Sequence, residues 1–318
     1  MATVQTRQPL RPSHMRSQPV RMAKVFDDPE AVLQLVRDLA PYYTVGTYYN
    51  GGTADPGSMD PPWFLTEPDC PLLVQNPNWI AAAHQAFDAG IVKPIRCVVN
   101  LNPPAPASPP HLDLPVFRGF SAPQVPIWLL MSMTHSGLFL DGLVPLASGV
   151  AWFWRGGGGE FEYWPDGPGG GSCSERPPMW NTGVMADNEV MWHRVGAIGT
   201  GQQQASSPPS VAGDTRMHWA GEGWEARQGD SLLAHFPADQ VRISFVWKAY
   251  VFRDEAHLHS FEDRACDLDL DTVTGMLCDD LAERGLPSRR PADPLNDPQW
   301  RELLLGTYTA PFAPPTAS

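Results

Sequence analysis

From about residue 91 the chain breaks into short runs rich in β-branched and aromatic residues: IRCVVNLN, VPIWLLMSM, GVAWFWR, GEFEYWP, GVMADNEVMWHRV, SLLAHF and VRISFVWKAYVF. Most are bounded by Gly, Pro, Asn or Asp, the punctuation expected of antiparallel strands that close on themselves in a barrel or sandwich. Ahead of them, DDPEAVLQLVRDLAPYY has an acidic start, apolar residues at helical spacing and a closing proline, which predicts a helix over 28–40. NPNWIAAAHQAFDAG predicts a second, with Asn76 or Asn78 as N-cap and Gly90 as the stop. DLDTVTGMLCDDLAERGL and DPQWRELLLGTY return to helical spacing near the end. The pattern therefore predicts one mainly β domain over 25–310. Its β core runs from about 94 to 252, with flanking helices at about 265–306. Residues 1–24 read as a disordered or extended tail, and 311–318 as a second tail.

The stretch from about 199 to 229, GTGQQQASSPPSVAGDTRMHWAGEGWEARQG, interrupts the strands. Its first half is polar; Trp219 and Trp224 in its second half need something to pack against, and a lid over a site is the functional reading.

Composition narrows the function classes. The chain has 318 residues, 42% of them hydrophobic, so a sizeable core is within reach. Its 22 basic residues against 35 acidic give a net charge of -13, which disfavours a nucleic-acid partner because phosphate binding needs concentrated Lys and Arg. No stretch reaches the length of a membrane span, and the first residues lack the apolar core of a secretory signal, so a cytoplasmic protein is expected. Five scattered cysteines without CxxC spacing argue against a disulfide framework or a zinc-thiolate site. Gly156 to Gly159 precede no GK[ST] and read as a hairpin turn, and there is no GxSxG elbow for a serine hydrolase.

What chemistry remains is carried by a few positions. In His111-Leu112-Asp113, residues i and i+2 of an extended chain point to one side, so an imidazole and a carboxylate converge while Leu112 faces away. A second imidazole from a distant strand would complete the two-histidine, one-carboxylate set that holds Fe(II) on one face and leaves other positions open. His193 in NEVMWHRVG is the favoured third ligand. His235 in GDSLLAHFP, seven residues before Arg242, is the alternative. Arg242 sits in an otherwise apolar strand, where a guanidinium is costly unless an anion meets it. Ser244 shares its face, so the two could grip a carboxylate by ion pair and hydroxyl. Arg118, His135 and Trp219 are further candidates for the substrate pocket, Arg118 for an anionic group.

These residues, in this order over roughly 94–252, resemble the Fe(II)- and 2-oxoglutarate-dependent oxygenases, whose motif runs H-x-D, a distal H, then R-x-S. The resemblance implies a double-stranded β-helix, or jelly roll. It implies His111, Asp113 and His193 as iron ligands, Arg242 and Ser244 as anchors of the 2-oxoglutarate 5-carboxylate, and O2 as oxidant. The implied reaction oxidises, most commonly hydroxylates, a C–H bond of a small organic substrate and releases succinate and CO2. The sequence departs from the family in the gap of 49 positions from His193 to Arg242, longer than usual, which the insertion after Gly199 would explain. An iron-dependent oxidase that does not use 2-oxoglutarate, and a metal-free β-barrel ligand-binding module, are the competing readings.

Overall fold

The computed structural model describes residues 15, 17–43, 64–66, 70–121, 124–205, 207, 215–264 and 266–308, and everything below concerns these. Its strands, in chain order, are β1 Val20–Met22, β2 Tyr42–Tyr43, β3 Phe64–Thr66, β4 Ile91–Asn102, β5 Leu146–Trp154, β6 Phe161–Trp164 and β7 Cys173–Glu175. They continue with β8 Met179–Ala186, β9 Trp192–Val195, β10 Thr215–Trp219, β11 Gly223–Gln228, β12 Ser231–Pro237 and β13 Arg242–Phe252. The helices are α1 Pro29–Asp38, α2 Pro71–Val74, α3 Pro77–Phe87, α4 Ile127–Ser136, α5 Gly201–Ala205, α6 Glu255–Glu262, α7 Leu270–Glu283 and α8 Pro298–Thr307. The protein is thus mostly β with helices, and no described helix is long and apolar enough to cross a membrane.

The chain forms two compact units, one chiefly Asp113–Pro145 with Phe252–Pro311, the other chiefly Arg16–Leu112 with Leu146–Val251. The second holds the sheets. Its largest has six strands in the order β1-β8-β5-β13-β4-β3; the others run β12-β11-β10-β2 and β7-β6-β9. The six-stranded sheet is covered on both faces, which is why β5 is buried at every position. On one face Trp79 of α3 stacks on Trp247 with ring centroids 5.9 Å apart, and Phe26 packs against Phe153 and Phe245. Gly149 permits this approach, since a Cβ there would lie 2.4 Å from the Trp79 ring. On the other face Val150, Trp152 and Trp154 of β5 and Val184 and Ala186 of β8 form one cluster with Phe161 and Tyr163 of β6. A fully buried tryptophan removes roughly 150–250 Å² from water, worth about 4–6 kcal/mol at ~25 cal/mol per Å². These rings therefore dominate the core.

Local sequence accounts for the helix ends. Asp28 caps α1 through Ala31 N at 3.0 Å, and Asn76 caps α3 through Asn78 N at 2.8 Å, each followed by proline at the first helical position. Gly90 is not the stop of α3: Asp88 takes the left-handed conformation (φ 48°) two residues earlier. Two further expectations change. VPIWLLMSM is the helix α4 and not a strand, its uniformly apolar run ending at left-handed Gly137. GVMADNEVMWHRV is two strands, β8 and β9, separated by a turn at 187–191. In the stretch read as an N-terminal tail, Val20–Met22 pairs with β8, and the second half of the 199–229 insertion is the β10–β11 hairpin. The rest of that tail before Met15, and 311–318, lie outside the described residues.

In the other unit, α4 packs with α8, and Arg118 is held by its backbone to Gly142 O and from Leu268 N. Gly119 (φ +79°) lets this turn close, because a Cβ there would lie 2.4 Å from Leu268 O.

Candidate metal centre

The prolines of NPPAPASPP, lacking N–H donors, keep residues 103–110 from pairing as a continuous strand. This segment instead touches the chain around β9 at separate points. Ala105 exchanges backbone hydrogen bonds with Ile198, Ser108 N donates to Val195 O, and His111 and His193 exchange both of theirs at 2.9 and 3.0 Å. The H-x-D triplet therefore lies on an isolated bridge and not inside a strand. The consequence expected of a strand still holds. The two imidazoles sit side by side, ring centroids 4.5 Å apart, and Phe161 lies 5.5 Å from His193 as its apolar neighbour.

Ligand atoms of His111, Asp113 and His193 all lie within 4.8 Å of one another, close enough to share one ion. His111 and His193 belong to the same unit. Asp113 is the first residue past that unit's boundary, separated from His111 in the chain by Leu112 alone. Each imidazole is also oriented from behind. His111 Nδ1 meets Pro109 O at 2.9 Å and His193 Nδ1 meets Met191 O at 3.0 Å. A carbonyl only accepts, so in both rings this contact puts the proton on Nδ1, the tautomer in which Nε2 is the nitrogen able to ligate a metal. His235 lies elsewhere, exposed on edge strand β12 opposite Glu225.

Arg242 and Ser244 open β13 on the face opposite the Trp79 side, and both are buried, at 1% and 4% exposure. Arg242 Nε donates to Gly159 O at 2.9 Å, while Nη2 has no hydrogen-bond partner among the described residues. Burial pushes the guanidinium down to about 9, with Glu160 pulling the other way. A buried guanidinium donor without a partner is what a carboxylate-bearing ligand would satisfy.

The remaining candidates have surroundings of their own. Trp219, on β10, packs edge-on against Trp224 at 5.2 Å and under the Arg37 guanidinium. Arg118 and His135 belong to the other unit. Arg118 is buried, donates from Nη2 to Ser260 O, faces Asp267 at 3.8 Å and lines a cavity of about 350 Å³ with Phe117, Phe120 and Phe261. His135 Nδ1 lies 3.3 Å from Tyr308 O, and burial lowers its pKa.

His111, Asp113 and His193 fit the H-x-D and distal-H motif of the 2-oxoglutarate oxygenases. The chain matches no family model and no curated protein. Solved structures similar to it include an oxidoreductase of the 2OG-Fe(II) oxygenase family from Burkholderia pseudomallei, 14% identical over 51% of this chain and 46% of that one, with a TM-score of 0.25. A Pseudomonas putida prolyl-4-hydroxylase is 14% identical over 55% of this chain and 61% of that one, TM-score 0.26. The non-haem alpha-ketoglutarate-dependent epimerase SnoN of nogalamycin biosynthesis is 12% identical over 76% and 84%, TM-score 0.39. The match spans about half the length of the first of these and three fifths of the second. Likenesses this distant carry no argument, so the reading rests on the residues.

Sequence reasoning did not single out Trp152 of the GVAWFWR run. It is fully buried, yet its Nε1 has no hydrogen-bond partner among the described residues. The acidic turn after β8 was also missed. Buried Asp187 and Glu189 lie near Lys248, which donates to Glu189 Oε1 and, at 2.7 Å, to Ser148 Oγ. Nothing short of the strand register would have joined positions so far apart in sequence.

Proposed function

We propose that this protein is an Fe(II)- and 2-oxoglutarate-dependent oxygenase that oxidises, most simply by hydroxylation, a C–H bond of a small organic substrate. The observation that carries this is the convergence of two Nε2-presenting imidazoles and one carboxylate, a ligand set characteristic of non-haem Fe(II) oxygenases with open coordination positions. The face-to-face sheets support a double-stranded β-helix as the scaffold.

His111 and His193 would hold the metal through Nε2 and Asp113 through a carboxylate oxygen. The Pro109 and Met191 carbonyls keep each ring turned to the ion. Bound Fe(II) supplies O2 activation coupled to decarboxylation of 2-oxoglutarate to succinate and CO2. Arg242 Nη2 and the Ser244 hydroxyl would hold the distal carboxylate of that cosubstrate, and their burial keeps water from competing for it. The remaining task of the protein would be to position the substrate at that site, which decides the bond that is oxidised.

The test is anaerobic Fe(II) loading followed by exposure to O2 and 2-oxoglutarate. Metal-dependent succinate release in the wild type, lost in His111→Ala and Asp113→Ala, is expected. Substrate oxidation without succinate would replace the reading by an oxidase that does not use 2-oxoglutarate. Failure to bind Fe(II) would leave a metal-free binding module.

A further inference from the structure

We propose that Trp152 is a positioning residue for the anionic cosubstrate, its indole N–H acting as a third donor beside Arg242 Nη2 and the Ser244 hydroxyl. The inference rests on the reading of this site as a 2-oxoglutarate site and adds a residue that the R-x-S pattern does not contain.

Strand register carries the argument. In the β5–β13 ladder Ser244 lies directly opposite Trp152 and Ile243 opposite Phe153. Directly opposed residues share a face, so Trp152, Ser244 and, one alternate position along β13, Arg242 look into the same layer. In that layer Trp152 touches Phe161 at 5.4 Å between centroids, and Phe161 touches His193 at 5.5 Å. The indole thus stands between the proposed carboxylate anchor and a proposed metal ligand.

The chain also goes to some length to aim this ring. Between Trp152 and Phe153 the pairing with β8 slips: Trp152 faces Thr182 and Phe153 faces Trp180. The extra residue, Asn181, adopts φ +56° and is held by Phe26, accepting from its N–H and donating to its carbonyl, each at 2.8 Å. Such a bulge re-aims the side chains beside it.

Two buried indoles in this sheet find an acceptor within the fold. Trp154 Nε1 donates to Gly158 O and Trp247 Nε1 to Val74 O, both at 2.8 Å. Trp79 Nε1 has none either, but it lies on the opposite face, stacked on Trp247. Trp152 Nε1 differs in sharing its layer with a second buried donor in the same condition, Arg242 Nη2. Leaving such a donor unsatisfied destabilises the fold, and an anion with several acceptor lone pairs satisfies both at once. A carboxylate meets this description; a neutral carbonyl offers less to a guanidinium.

The experiment is calorimetric titration of Zn(II)-loaded wild type and Trp152→Phe with 2-oxoglutarate. Trp152→Phe keeps an aromatic ring and removes the N–H. Binding about 10- to 100-fold weaker, with Zn(II) affinity unchanged, is expected from the loss of a hydrogen bond to a charged group. Equal affinity in the two proteins overturns the proposal while leaving the oxygenase reading intact. A wild type that binds Zn(II) but no 2-oxoglutarate overturns the 2-oxoglutarate reading and this inference together. Should the Phe variant fail to fold, the wild type decides alone. Its Trp152 indole 1H–15N resonance, assigned through the contact with Phe161, should shift on addition of 2-oxoglutarate, and an unmoved resonance refutes the assignment.

Discussion

Arg242 shows how one residue can be a cost to the fold and an asset to the site. Its guanidinium is buried, with Nε donating to Gly159 O and Nη2 unsatisfied, so an apolar chain of similar length relieves the fold of a buried cation and a donor without a hydrogen bond. Arg242→Met is expected to unfold at the same temperature as the wild type or higher while losing the stabilisation conferred by 2-oxoglutarate. Parallel thermal melts with and without the cosubstrate check both halves; a variant that melts lower and still responds would contradict them. The arginine was legible in the sequence because charge in an apolar strand is conspicuous. His111 and Asp113 were legible because alternation needs only an extended chain, and an isolated bridge supplies it as well as a strand does. Trp152 was not, since an aromatic in a strand looks the same whether it fills space or offers a hydrogen bond. Only the register and the bulge tell these apart.

Asp187 is a second residue whose surroundings set its behaviour. Burial holds its carboxyl well above the ordinary 3.8; the charge of Glu189 adds to this and Lys248 opposes it. The folded state therefore binds this proton more tightly than the unfolded chain does. Stability from it is fully present below pH 3.8 and is lost as pH rises from there through the raised folded value. Asp187→Asn, which needs no proton, should gain on the wild type over that rise. Urea unfolding of both proteins at pH 4 and pH 7 measures the difference, and a pH-independent gap would refute the account.

At the scale of elements, the β5–β8 bulge is the feature to disturb. Asn181 combines a left-handed backbone with two side-chain hydrogen bonds to Phe26, so Asn181→Ala loses both and adds backbone strain, a cost of about 3 kcal/mol. Asn181→Gly should recover the backbone part, roughly 1 kcal/mol. Chemical denaturation of the pair separates the contributions; equal losses would mean the conformation carries no strain. Elements were legible where a period or a cap marked them, as in α1, α3 and β13. They were misread where hydrophobicity was uniform. Ile127–Met131, which opens α4, is apolar at every position, and neither period shows through such a run. The left-handed Gly137 at its end was the available signal for a helix. The split of GVMADNEVMWHRV had a signal too, in the polar Asp187-Asn188-Glu189 at the turn.

For the whole molecule, ligands that bind only the folded state raise its stability. Saturation at a hundred times Kd is worth about 2.7 kcal/mol. Fe(II) with 2-oxoglutarate should therefore raise the melting temperature of the wild type measurably and leave His111→Ala unmoved, as anaerobic scanning calorimetry would show. An equal rise in both would place the metal elsewhere. The mainly β architecture was readable from punctuation and residue type. One of the breaks between the two compact units falls between Leu112 and Asp113, inside a motif and without any change of composition that a reader of the sequence could use.

The paired backbone hydrogen bonds of His111 and His193 carry a kinetic consequence. The two imidazoles are spaced by main chain, so the ion need not assemble that part of its site, and it leaves most readily when the bridge opens. Opening exposes both amides to solvent in one event. Amide hydrogen exchange at His111 and His193 in the metal-free protein then reports how often the bridge opens, and a metal that binds the closed bridge should slow exchange at both amides together.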